Sequence, residues 1–96
     1  MRIEGAGKFE NSKLIRFKAD IEDGVIKNIS ISGDFFASPE EEFEKAEQFL
    51  IGVSVKDISS AFDFFIQKEK IEAYGISGTA LSKVIFSALE KGEEHE

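Results

Sequence analysis

The side chains able to take part in a reaction are few, and almost all of them are carboxylates. The chain has no cysteine, and its single histidine is His95, close to the C-terminal residue. Thiol catalysis, thiolate metal sites and disulfides are therefore excluded. A Ser-His-Asp triad is also very improbable, because the only histidine that could act as a base lies in the C-terminal tail.

Two groups of carboxylates remain as candidates for acid–base or metal chemistry. Asp34 stands directly before two phenylalanines, and an acidic cluster follows it in a predicted helix. The cluster consists of Glu40, Glu41, Glu42, Glu44 and Glu47. Such a cluster binds a divalent cation weakly, but acidic residues also stabilise a helix when they lie near its N-terminus. We favour the second interpretation and predict no metal site.

The segment "YGISGTALSK", residues 74–83, is a candidate phosphate-binding loop. It has two glycines before a predicted helix and a lysine after them. Their order matches neither G-x-x-x-x-G-K-[ST] nor G-x-G-x-x-G. We therefore assign Gly75 to a turn and Gly78 to a helix start, and we predict no nucleotide site here.

The charge balance narrows the range of partners. Nineteen acidic and twelve basic residues give a net charge of −7, which disfavours nucleic acid, anionic membranes and free ATP. No apolar run approaches the roughly 20 residues of a membrane span. The N-terminus lacks the apolar core of a signal peptide. We expect a cytoplasmic protein, with Met1 beginning a complete gene product.

Alternating polarity predicts three antiparallel strands at the start of the chain. "RIEGAGKFE", "KLIRFKADI" and "VIKNISISG" follow one another, separated by short turns at residues 10–12 and 22–24. In the first strand the glycines leave room for Ile15 and Phe17 on its neighbour.

The register between the second and third strands depends on the length of their turn. A three-residue loop, 22–24, keeps apolar residues opposite one another by pairing Phe17 with Ile29 and Ile21 with Val25. This register places Ile26 on the outer face and Lys27 on the buried face.

Three amphipathic helices follow the strands. Capping boxes are predicted at Ser38 and Ser54, and a third helix start at Ser77; Gly52 and Gly92 are predicted stops. The predicted core stripes are Phe43, Ala46 and Leu50; then Ile58, Ala61, Phe62, Phe65 and Ile66; then Leu81, Val84, Ile85, Ala88 and Leu89.

Strands followed by helices predict an α+β fold, a two-layer sandwich in which three helices pack on one face of a three-stranded antiparallel meander. We expect a single domain over residues 1–92 and an acidic tail over residues 93–96.

Two adjacent phenylalanines follow the third strand, where a turn has no obvious face to bury both. Strand parity places Phe35 on the core side and Phe36 on the outer side. Phe64 and Phe86 also lie off the apolar stripes of their helices. Either these rings pack internally, for example against Phe43, or they form a docking surface, since aromatic residues are enriched at interfaces.

These residues resemble a known family. "KLIRFKADIEDGVIKNISISGDFF", with its exit at Ile31, Gly33, Asp34, Phe35 and Phe36, is similar to the C-terminal accessory domain of lipoate–protein ligases. The "FLIGV" helix stop and "YGISGTALSKVIFSAL" look like later parts of the same domain, so that the resemblance covers roughly residues 8–90. It implies a fold similar to iron–sulfur scaffold proteins, although cluster assembly itself needs cysteine ligands.

The resemblance also implies a division of labour. The large catalytic domain of such ligases has no counterpart in this sequence, which resembles the separate accessory subunit of split archaeal ligases. A large catalytic subunit would then bind lipoate, ATP and Mg²⁺, and the accessory subunit would be needed for adenylation but not for transfer. No cofactor is expected on this chain alone.

We place the contact with the large subunit at Gly33, Asp34, Phe35 and Phe36, with Phe64 and Phe86 as further candidates. Two alternatives stay open. One is an acidic protein–protein interaction module of the same fold without a role in lipoylation. The other is a small enzyme that uses Asp34 or the glutamate cluster.

Overall fold

A three-stranded sheet comes first in the chain, and three helices follow it. The computed structural model describes residues 1–9 and 11–91. The elements are β1 (Arg2–Gly7), β2 (Ile15–Glu22), β3 (Val25–Gly33), β4 (Phe36–Ser38), α1 (Glu40–Leu50), a 3₁₀ turn (Val55–Asp57), α2 (Ile58–Lys68), β5 (Glu72–Tyr74) and α3 (Gly78–Lys91). The sheet order β1-β2-β3 is antiparallel throughout, which confirms the predicted α+β fold. Glu10, the stop at Gly92 and the tail with His95 lie outside the described residues.

The turn between β2 and β3 differs from the prediction. Glu22 pairs with Val25, so that only Asp23 and Gly24 form the loop, and both have positive φ angles, 54° and 74°. Such angles at both central residues are those of a two-residue type I′ hairpin turn. The three-residue loop predicted over residues 22–24 is therefore wrong.

A β-bulge restores the apolar pairing that the two-residue turn alone would break. Asp20 pairs with Asn28, yet Ile21 pairs with Ile26, so Lys27 is an extra residue on β3. Beyond the bulge, Phe17 lies opposite Ile31 rather than the predicted Ile29. A bulge shifts the alternation by one residue. Consequently Ile26 is fully buried and Lys27 exposed, the reverse of the predicted placement.

A glycine in β1 makes room for the packing of α3 against the sheet. Gly5 lies opposite Phe17, and a Cβ at this position would lie 3.1 Å from Cβ of Ala88 in α3. The glycine therefore admits both the Phe17 ring and the closing helix at the same point.

The helix starts are only partly as predicted. Neither Pro39, which precedes α1, nor Ser54, which precedes the 3₁₀ turn, makes a side-chain capping bond, so both predicted capping boxes are wrong. Ser38 is instead the last residue of β4. At α3 the prediction is confirmed, because the N–H of Ala80 donates to Oγ of Ser77 at 3.1 Å.

The core lies between the sheet and the helices. The predicted stripes face it: all their residues are buried except Ala61, Ile66 and Leu89, which are half-buried. No polar or charged residue is buried among those that the structure describes. Within this part of the chain, no helix combines the length and apolarity that a membrane crossing requires.

Candidate protein-interaction site

The short ribbon formed by β4 and β5 carries the most exposed aromatic side chains of the described chain. Phe36 is the cross-strand neighbour of Tyr74, and their ring centroids lie 6.3 Å apart with the planes inclined by 29°. Phe36 is 58% exposed and Tyr74 61% exposed. The alternate pair, Ala37 and Ala73, faces the core. We call the Phe36–Tyr74 pair the aromatic ledge.

A tight backbone turn at the end of β3 leads into the ledge. Gly33 pairs with Ile15 and has a φ of 146°, where a side chain would meet the carbonyl oxygen of Leu14. The next amide, that of Asp34, donates to the same Leu14 oxygen at 2.9 Å. Only glycine fits this close approach. The turn therefore holds Asp34 in an exposed position two residues before Phe36.

The two adjacent phenylalanines point in opposite directions, as strand parity predicts. Phe35 is half-buried, and its ring centroid lies 5.3 Å from that of Phe43 in α1. Phe43 in turn contacts Phe62 of α2 edge-on at 6.1 Å. Phe35 thus anchors the turn to the core, as the internal-packing interpretation requires, whereas Phe36 remains on the surface.

An open groove of about 260 Å³ runs from the ledge to α1. Its lining residues are Ile31, Ser32, Gly33, Phe35, Phe36, Ala37, Glu40, Phe43 and Glu44. The lining includes two carboxylates and no basic side chain. On the other side of the ledge, the Tyr74 hydroxyl donates to Oε2 of Glu72 at 3.2 Å. Acidic side chains therefore lie near both exposed rings, and we call Glu40, Glu44 and Glu72 the acidic rim.

Neither of the two other predicted phenylalanines lines the groove beside this turn. Phe64 of α2 is 57% exposed and stacks on Phe49 of α1, with centroids 6.2 Å apart. Phe86 of α3 is half-buried. The structure thus has a second aromatic pair, Phe49–Phe64, and the sequence indicated only one of its members.

The acidic cluster of α1 has structural contacts. Oε2 of Glu47 accepts from the amide of Ile31 at 2.8 Å, and Glu42 forms an ion pair with Lys45 at 3.2 Å. Among residues 1–9 and 11–91, no group of three or more acidic or histidine side chains is arranged to hold a metal ion.

The sheet face turned away from the helices has a different character. Arg16 and Lys18 project there and line an open trough of about 530 Å³, whose floor includes Ala6, Ser30 and Ser32. Glu4 also lines this trough, and Ser32 lines both the trough and the groove beside the ledge.

A two-layer α+β fold with an acid-rimmed aromatic ledge defines a small domain suited to contacting another protein. The chain belongs to the family described as the C-terminus of bacterial lipoate protein ligase, whose profile matches residues 3–63. Tyr74 and Phe86 lie beyond the matched segment.

A relative and a solved structure agree with this family. A protein named lipoate-protein ligase A subunit 2, from Thermoplasma acidophilum, is 42% identical over 55 residues, which are 56% of this chain and 58% of the relative. The match thus spans little more than half of that relative's length.

A solved structure also agrees with the family. It is a chain from an archaeal lipoylation system, described as a bipartite lipoate protein ligase and its E2 lipoyl domain from the same organism, and it superposes with a TM-score of 0.72. It shares 28% identity, and the match covers 86% of this chain and 92% of that one. The predicted resemblance is confirmed.

Proposed function

We propose that this chain is the accessory subunit of a two-part lipoate–protein ligase and is required when a separate catalytic subunit adenylates lipoate with ATP. The observation that carries the proposal is the mutual coverage with the solved chain, 86% and 92% at a TM-score of 0.72. Nearly all of each chain has a counterpart in the other. This supports an equivalent role for the two.

The chemistry in this proposal belongs to the catalytic subunit. Lipoate, ATP and Mg²⁺ bind there, lipoyl-adenylate forms with release of pyrophosphate, and an acceptor lysine later displaces AMP. The accessory chain contributes by ordering the partner's loops and excluding water. Such positioning accelerates a reaction without supplying a nucleophile or a metal.

The docking contact in this proposal is the exit from β3. Gly33 and Asp34 shape the turn, Phe35 fixes it to the core, and Phe36 presents its ring to the partner. Phe64 and Phe86 are candidates for additional contacts. The net charge of −7 makes a basic partner surface the complementary one.

The test is lipoate-dependent exchange between pyrophosphate and ATP by the catalytic subunit, with and without this chain. We expect exchange only when both are present, and no exchange by this chain alone. A parallel assay supplies preformed lipoyl-adenylate and follows transfer to an acceptor domain, for which we expect no dependence on this chain.

Equal exchange rates with and without the chain would refute the proposal. If the two proteins nevertheless form a complex, the alternative role as an acidic interaction module applies. Exchange by the chain alone would show a catalytic centre of its own. The cytoplasmic location stays a prediction.

A further inference from the structure

We propose that the aromatic ledge is a receptor for an arginine side chain on the surface of the catalytic subunit. This inference rests on the proposed function and adds to it the chemistry of the contact. It also assigns a binding role to Tyr74, which lies outside the family-matched segment.

Strand pairing holds the two rings in place. Phe36 and Tyr74 are directly opposite on β4 and β5, and the alternate residues Ala37 and Ala73 fix the ribbon against the core. The rings are therefore presented side by side as a preorganised surface. Preorganised aromatic side chains bind at low entropic cost and are common energetic centres of interfaces.

Carboxylates lie next to both rings of this surface. Glu72 lies beside Tyr74 and accepts the bond from its hydroxyl, and Glu40 and Glu44 line the adjacent groove. Asp34 is exposed on the preceding turn. The lining of the groove has no basic side chain. Outside this lining, Arg16 pairs with Ser32 across the sheet, and a Cβ at Gly75 would lie 2.5 Å from Cγ of Lys13.

An arginine side chain can bind both the exposed rings and the neighbouring carboxylates. Its planar guanidinium stacks on an aromatic face, and its N–H groups donate to a carboxylate at the ring edge. A lysine would gain the charge contacts but not the planar stacking. The combination of two exposed rings and acidic neighbours therefore selects a guanidinium.

Other occupants fit the ledge less well. A second copy of this chain would bring the carboxylates of both rims together, and an anionic lipid surface would be repelled by them. An uncharged apolar segment would cover the rings but leave the rim without a partner. A basic protein surface is the occupant that complements the whole patch.

The experiment is calorimetric titration of the catalytic subunit with variants of this chain. We expect Tyr74→Ala to weaken binding by about tenfold or more. Tyr74→Leu and Phe36→Leu keep apolar bulk but lose the π system, and we expect each to weaken binding severalfold. Tyr74→Phe keeps the ring and is expected to bind more tightly than Tyr74→Leu. Glu72→Gln is expected to reduce both the affinity and its dependence on salt.

Matched controls separate the ledge from the rest of the surface. Ile51→Ala removes an exposed apolar side chain just after α1, and Lys27→Ala removes an exposed charge at the β-bulge. Both are expected to bind within about twofold of wild type, a range too small to identify an energetic centre. Circular dichroism verifies that every variant is folded.

Wild-type affinity for both leucine variants would overturn the arginine receptor, because the rings would then act only as apolar bulk. Wild-type affinity for Tyr74→Ala would remove the ledge from the interface, yet stimulation of pyrophosphate exchange would leave the proposed function intact. Sedimentation that shows a dimer of this chain, abolished by Tyr74→Ala, would identify a second copy as the occupant. Absence of both binding and stimulation would refute the two proposals together.

Discussion

The carboxylate of Glu47 accepts a hydrogen bond from the backbone N–H of Ile31, with 2.8 Å between Oε2 and the amide nitrogen. The contact joins α1 to the outer edge of β3. Further along the same edge, the amide of Ile26 donates to the carbonyl of Val53 at 2.9 Å. A side chain and a loop therefore cover an edge that would otherwise offer unpaired groups to another strand.

Removing the Glu47 carboxylate should destabilise the chain. We expect Glu47→Ala to lower the free energy of unfolding by about 1–2 kcal/mol, because the part-buried Ile31 amide loses its acceptor. Glu47→Gln keeps an acceptor oxygen and should lose less. Urea denaturation measures the difference, with Gln48→Ala, a change at an exposed neighbouring residue, as the control. Equal stability of the alanine variant and wild type would show that the contact contributes nothing.

The bulge at Lys27 makes a testable distinction between neighbouring residues. Ile26 is fully buried and Val25 half-buried, so Ile26→Ala should cost about 2–4 kcal/mol and Val25→Ala clearly less. Lys27→Ala should be nearly neutral. The register predicted from alternation alone reverses the order of Ile26 and Val25. Chemical denaturation of the three variants therefore tests the hairpin directly, and a larger loss at Val25 would contradict the bulge.

The three strands of the main sheet and the three helices were predictable, because each repeats its pattern over several residue pairs or helical turns. The bulge was not, since one inserted residue leaves the alternation intact on either side of it. Asp-Gly correctly indicated a tight turn, but the choice of a longer loop followed from assuming an unbroken ladder. A lysine on the predicted buried face was the signal that the register needed a bulge.

Of the two rings of the aromatic ledge, only one could be predicted from the sequence. The exposure of Phe36 followed from strand parity, which its continuation into β4 preserves. Tyr74 could not be found in the same way, because β5 has only three residues, too few for a periodic signal, and its partner strand lies far away in sequence. The sequence that begins at Ser38 resembles a capping box, but Ser38 is part of this ribbon and no capping bond forms.

Two glycines should respond to alanine for different physical reasons. A Cβ at Gly78 would collide with the carbonyl of Ser59 and lie 2.9 Å from the Asp63 carboxylate, which accepts from the Gly78 amide at 2.8 Å. Gly52 has open space around it but a φ of 91°. We expect Gly78→Ala to cost about 3 kcal/mol or more, by overpacking and loss of this bond, and Gly52→Ala about 1 kcal/mol. Thermal unfolding ranks the two, and a larger loss at Gly52 would contradict the close approach of α2 and α3.

Phe35 and Phe36 should separate stability from association. Phe35 is half-buried against Phe43, so Phe35→Ala should lower the free energy of unfolding by about 1–3 kcal/mol. Phe36 is mostly exposed, so Phe36→Ala should change it by no more than about 0.5 kcal/mol. In the proposed complex we expect the order to reverse, because the proposed contact buries the Phe36 ring, whose loss should weaken association by about 1–2 kcal/mol or more.

Urea denaturation of the free chain and calorimetry of the complex, performed on the same two variants, measure the two effects independently. Ile51→Ala is the control for an exposed apolar side chain outside the ledge. Since adjacent residues share the same backbone turn, a distortion of the turn would lower both quantities for both variants. We expect only Phe35→Ala to lose stability, and we expect Phe36→Ala to lose affinity without losing stability. This result would show that the Phe35 ring acts in the core and the Phe36 ring at the interface. Unchanged affinity for Phe36→Ala would exclude that ring from the contact.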